Sequence, residues 1–208
     1  MYQPGNTLSK SNVDATIEEY VTSVEDLGDS IANLKGLRLL EALKRDAVAT
    51  GPYPSVTLFE AANRIMSDLV ILYGVKWLLN HDVFPFDTYT VEYGIEDKNR
   101  FDIRATAGGR TLIGEAFNVA PSFFQTKKSA MLRKLRDPAV TADFKIILFN
   151  HDAVQSNYAP KSRSNEFFVV VNIGTGVTRV VPNPVLNTDA RQSGSALLPS
   201  AGSRERSP

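Results

Sequence analysis

The chain has 208 residues, 43% of them hydrophobic and 22% charged, with 23 basic and 23 acidic side chains and no cysteine. This is the balance of a soluble globular protein with one sizeable core, and it excludes disulfides and cysteine-ligated zinc or iron–sulfur sites. Zero net charge argues against a surface coated in cations for indiscriminate DNA binding.

In chain order, residues 1–12 are polar and read as loose. No basic start followed by an apolar run marks a signal peptide in the first thirty residues. Apolar residues then recur at helical spacing over 13–27 and again over 29–48, where Ile31, Leu34, Leu37, Leu40 and Leu43 form the stripe. Gly28 separates these two helices, and GPYPS at 51–55 stops the second. A third helix is predicted from Val56 to Asn80, with Leu58, Phe59, Ala62, Ile65, Met66, Leu69, Val70 and Tyr73 on its apolar face. Its stretch ILYGVKWLL is interrupted by Lys76 and is too short to span a bilayer, so a cytoplasmic protein is expected.

The period then changes to two. Residues 88–93, 100–105 and 111–119 read as successive strands, with Gly108–Gly109 as a tight turn between the second and third. Ser122 and Gln125 fit a capping box opening a helix that runs to Arg136. Residues 144–150 form a short buried strand, and 167–173 with 177–181 a last hairpin around Gly174–Thr175–Gly176. Pro, Ser, Gly and Arg dominate after Pro182, which predicts a disordered tail. The expected organisation is a helical segment (1–54) packed on a core domain (55–182), followed by the tail (183–208). Its class is α/β (α+β), with a central mixed sheet covered by helices.

Charge is unevenly spread. Residues 1–60 hold nine acidic and five basic side chains, whereas residues 103–136 hold seven basic ones and a single acid, Glu115. A cationic face beside a carboxylate suits a polyanion; a solvated helix face is the alternative. Asp102 falls between apolar Phe101 and Ile103 on the second predicted strand, so its face differs from theirs, while Glu115 shares a face of the third with Ile113 and Phe117. A carboxylate among apolar neighbours is costly unless paired or bound to a cation. His81 and His151 lack metal-ligand spacing and read as surface histidines. P-loop and α/β-hydrolase motifs do not occur.

A helix with a glutamate, a β-meander with Asp102 and Glu115 on its second and third strands, then a helix and a buried strand: this order over 56–150 resembles the PD-(D/E)XK nuclease superfamily, which includes many type II restriction endonucleases. The resemblance implies a restriction-endonuclease-like fold and an endonuclease hydrolysing DNA, with Mg2+ (or Mn2+) on Asp102 and Glu115. Two carboxylates from adjacent strands suit such an ion, which polarises a phosphate and activates water. Glu60, on the preceding helix, takes the place of the family's assisting glutamate. Phe101 stands where the family often has proline, and Phe117 where it has lysine, so GEAFN replaces Glu-x-Lys. Lys128, with Phe124, Met131 and Leu135 on one helix stripe, is the candidate for a lysine migrated onto the helix; a lysine snorkelling at the core edge is the other reading. Arg104, Gln125, Lys127, Arg133, Lys134 and Arg136 are candidates for contacts to the nucleic acid. Cutting a duplex on both strands implies a homodimer. The alternative is a nuclease-like fold without activity that binds nucleic acid or a protein partner.

Overall fold

The computed structural model describes residues 5–94 and 99–184. Seven strands form one mixed sheet in chain order: β1 (Thr7–Ser9), β2 (Thr88–Val91), β3 (Ile103–Ala107), β4 (Arg110–Phe117), β5 (Phe144–Asn150), β6 (Glu166–Val171) and β7 (Thr178–Val181). Neighbours pair antiparallel except β4 with β5 and β5 with β6, which are parallel. Among the described residues four α-helices accompany them: α1 (Val13–Thr22), α2 (Gly36–Arg45), α3 (Leu58–Asn80) and α4 (Pro121–Leu135). The protein is thus an α/β chain with a mixed sheet flanked by helices.

Each face of the sheet has its own core. On one side α3 brings Ile65, Leu72, Val75 and Leu78 against Tyr89, Ile103, Leu112, Ile146, Leu148 and Val169. On the other, α4 sets Phe124 and Leu135 against Ile113, Phe117, Ile147, Phe149, Phe168 and Val170. Alternation along β4, β5 and β6 therefore sends apolar side chains both ways, as strands covered on both faces require. Gly74 lets α3 approach closely: a Cβ there would lie 2.5 Å from Leu148 Cδ2.

Local chemistry explains the element ends. Thr57 caps α3 by accepting the Glu60 N–H at 3.2 Å. The helix stops where Asp82 turns left-handed (φ 48°), with Val83 N–H donating to Leu78 O and Asp82 N–H to Leu79 O, a Schellman motif. Gly108 and Gly109, at φ 56° and 74°, make the two-residue turn between β3 and β4.

Several expectations are corrected. Thr7–Ser9 is a strand on β2 rather than loose chain, and Leu8, Val13, Ile17 and Tyr20 belong to the α3-side core. The first two helices are shorter than predicted, with a 3-10 turn (Glu25–Ile31) between them, and Leu37 and Leu40 of the expected stripe are 72% and 59% exposed. Ser122 does not cap α4: the N-cap is Ala120, without a side-chain bond, and Pro121 starts the helix with its preset φ. β3 begins at Ile103 because the chain bends at Asp102, sending Phe101 to the α4-side core and Ile103 to the α3 side. The expectation of a disordered tail falls, from residue 185 on, outside the described residues.

Candidate active site

Strand register brings the two carboxylates together. Ile103 pairs with Gly114, so the next position outward sets Asp102 opposite Glu115. Antiparallel partners share a face, and Glu115 lies with Ile113 and Phe117 on the α4 side. The Ala116 N–H donates to Asp102 Oδ2 at 2.8 Å, fixing that carboxylate across the pair. One strand further out, Val91 pairs with Ile103 and the Glu92 N–H donates to Asp102 O at 2.8 Å. Glu92, Asp102 and Glu115 thus lie in one row across three neighbouring chain segments.

Glu115 is 2% exposed. Burial, and then the negative charge of Asp102, push its carboxyl up to about 7, with Lys134 and Lys127 opposing. Asp102 is also raised, first by burial and further by Glu92, while the Ala116 N–H and Lys134 pull it back.

The lysine that meets these groups is Lys134, not Lys128. Lys134 Nζ lies 2.8 Å from Glu115 Oε1 and donates to Oε2 at 2.9 Å. Lys128 instead donates to the Tyr158 hydroxyl at 3.0 Å and lies over the rings of Phe124 and Tyr158. Phe117, at the family's lysine position, stacks on Phe149 at 5.8 Å between centroids and touches Phe124. An aromatic cluster therefore fills the space where an Glu-x-Lys lysine would point, and Lys128 edges that cluster.

The other sequence candidates divide. Lys127 and Arg133 are exposed on α4, and Arg104, opposite Ile113 in the register, stands exposed on the same face while donating to Asn99 Oδ1 at 2.7 Å. Gln125 is exposed beside a cleft of about 330 Å³ formed with Pro121, Phe124 and Tyr158. A second cleft of about 560 Å³ opens next to Lys134 between Arg133, Arg136 and Asp137. Arg136 is engaged elsewhere, since its Nε and a terminal nitrogen donate to the two oxygens of Glu166 at 2.6 and 2.7 Å. Glu166 is 2% exposed, so this bidentate pair neutralises a buried charge in the sheet. Glu60 pairs with Arg64 on α3. It lies seven residues, about 10 Å along the axis, before Ser67, which accepts the Asn118 N–H just beyond β4.

Sequence reasoning missed a further buried carboxylate on α3. Asp68, 1% exposed on α3, accepts from the Tyr20 and Tyr53 hydroxyls and from the Gly94 N–H at 3.0 Å. Burial raises it to about 6 against the pull of those bonds. It ties α1, the loop before α3 and the chain leaving β2 to one point. The signal was legible: Asp68 stands at helical spacing among Ile65, Ile71 and Leu72.

Among the described residues no three Asp, Glu or His side chains converge as a metal cluster. The pair Asp102–Glu115 supplies hard oxygen donors, and the buried Glu115 Oε1 receives no directed hydrogen bond. Both features fit Mg2+ or Mn2+, which prefer oxygen and keep several waters. Compared with protein-family models and with curated proteins, the chain finds no match, so its site stands on its own geometry.

Proposed function

We propose that this chain is a metal-dependent endonuclease of the restriction-enzyme-like kind, acting on duplex DNA. The observation that carries the reading is Glu115, buried on β4 opposite Asp102 and contacted by the Lys134 ammonium. Asp102 and Glu115 would hold Mg2+ or Mn2+, which supplies Lewis acidity at the scissile phosphate and lowers the pKa of the attacking water. Lys134, arriving from α4, stands at the carboxylates in place of Lys128 and would give its ammonium to the substrate phosphate. Lys127 and Arg133 flank it and would bind phosphates without reading bases, and Arg104 would extend that surface along β3. Two such sites in a homodimer would cut both strands; the exposed Leu37 and Leu40 of α2 are material for its interface. No helix among the described residues is long and apolar enough to cross a membrane, which is compatible with a cytoplasmic setting.

The experiment is cleavage of plasmid DNA with Mg2+ or Mn2+. Wild type should cut, Asp102→Asn, Glu115→Gln and Lys134→Met should not, and Lys128→Met should still cut. Wild type that binds DNA but cuts no sequence with either metal would leave the binding-only reading, which Phe117 in its aromatic stack favours. Loss of cutting in Lys128→Met with retention in Lys134→Met would return the lysine's role to Lys128.

A further inference from the structure

We infer that the Lys134 ammonium occupies the place of the bound cation, so that metal binding expels it from Glu115 and releases it toward the substrate. This rests on the nuclease reading above and adds an order of events to it.

The ammonium lies 2.8 and 2.9 Å from the two oxygens of one carboxylate. Only Oε2 receives a well-directed N–H; Oε1 is buried with a cation beside it and no hydrogen bond. A divalent ion held by Glu115 would have to share its carboxylate with an ammonium that now lies 2.8 Å from Oε1. Two cations that close repel strongly in a water-poor site, and the one on a flexible stem gives way.

Lys134 has somewhere to go. Its side chain is 37% exposed, and its ammonium lies 5.7 Å from the centre of the Phe101 ring. The cleft of about 560 Å³ between Arg133 and Arg136 opens beside it. An ammonium swung into that cleft joins the Arg133 guanidinium, where a phosphate would gain from both. In the metal-free protein Lys134 thus quenches the site's negative charge, and in the loaded protein it faces the DNA.

Calorimetric titration with Mg2+ and with Ca2+ at pH 8.5 tests this on the full chain. Lys134→Met should bind the metal about tenfold or more tightly than wild type, because no charged hydrogen bond must first be broken. Lys127→Met removes a nearby positive charge that does not contact Glu115, and should change metal affinity much less. Metal should also tighten wild-type DNA binding more than that of Lys134→Met, read by anisotropy in Ca2+. Lys134→Gln serves in place of Lys134→Met if the latter melts early. Metal affinity in both Lys134 variants equal to or below wild type, with wild type binding metal, would overturn the exchange and leave the nuclease reading standing. Equal gains in Lys127→Met and Lys134→Met would reduce the effect to general charge and also overturn it. No metal bound by any of them would remove both.

Discussion

Glu115→Gln should make the protein more stable and inactive at once. The carboxyl of Glu115 is raised from 4.5 to about 7 in the fold, so the native state holds a proton there that the unfolded chain has already lost. Below pH 4.5 both states are protonated and the residue costs nothing through ionisation. As pH rises from 4.5 to 7 stability falls, and above 7 the full penalty is in place. At 1.36 kcal/mol per unit, that penalty is at most about 3 kcal/mol. Glutamine keeps the shape and carries no charge, so the variant should match wild type near pH 4.5 and exceed it at pH 8. For a chain of this size, 3 kcal/mol is worth about 6–12 °C in Tm. The assay is thermal or urea unfolding from pH 4.5 to 8.5, with and without Mg2+. The ion should close part of the gap by stabilising wild type alone. A Glu115→Gln protein less stable than wild type at pH 8 would refute the reasoning, since the Lys134 pair would then outweigh burial of the charge.

Arg136→Met should cost about 1–3 kcal/mol in urea unfolding, because it leaves the buried Glu166 carboxylate with only the Arg163 N–H at 2.9 Å and the Arg163 Nε at 3.8 Å; a normal midpoint with weakened DNA binding would instead make Arg136 a phosphate contact. Tyr20→Phe removes the 2.5 Å bond to Asp68 and should cost about 1–3 kcal/mol by the same assay, with Tyr53 and Gly94 still holding the carboxylate. Gly74→Ala places a Cβ 2.5 Å from Leu148 Cδ2 and should destabilise by about 1–3 kcal/mol, partly relieved by Leu148→Val; an unchanged Tm would show that α3 can shift on the sheet.

Much of the central fold was legible because its periodicities are strong. The helical length of α3, the paired glycines at 108–109 and the apolar run at 144–150 order the elements from α3 to β5. The expected face of α3 is corrected: Phe59, Ala62 and Met66 are exposed, and Ala61, Ile65, Ile71, Leu72 and Val75 are buried. The helix is apolar almost all round, so its spacing admits more than one stripe. The N-terminal part was less legible. Thr7–Ser9 carries only one apolar side chain, and it becomes a strand because β2 offers an open edge, which is tertiary information. The spacing of Leu37 and Leu40 says that α2 is a helix, but not that this face stays in water. The facing of Asp102 was half legible: alternation sets it opposite in face to Ile103, as expected, but the bend at Asp102 puts Phe101 on the α4 side, against the expectation.

The misassigned lysine has a specific cause. The stripe Phe124, Lys128, Met131 and Leu135 was sound, for Phe124 and Leu135 are buried and Lys128 and Met131 partly so. A stripe gives the rotation of a helix and says nothing about which turn stands over which strand residue. β4 and β5 are parallel neighbours, so α4 must run back along the sheet between them. Phe124 of its first turn meets Phe117 at the end of β4, and Glu115 lies two residues, about 7 Å, back from there. Lys128 is only about 6 Å along the helix from Phe124, and Lys134 about 15 Å. Helical side chains lean toward the helix N-terminus, so a residue covers the surface before its own Cα. Lys128 therefore leans back into the aromatic cluster and finds Tyr158, whereas Lys134 leans back onto Glu115. The axial count alone favours Lys128, so the choice of Lys134 rests on side-chain conformations that the sequence does not give.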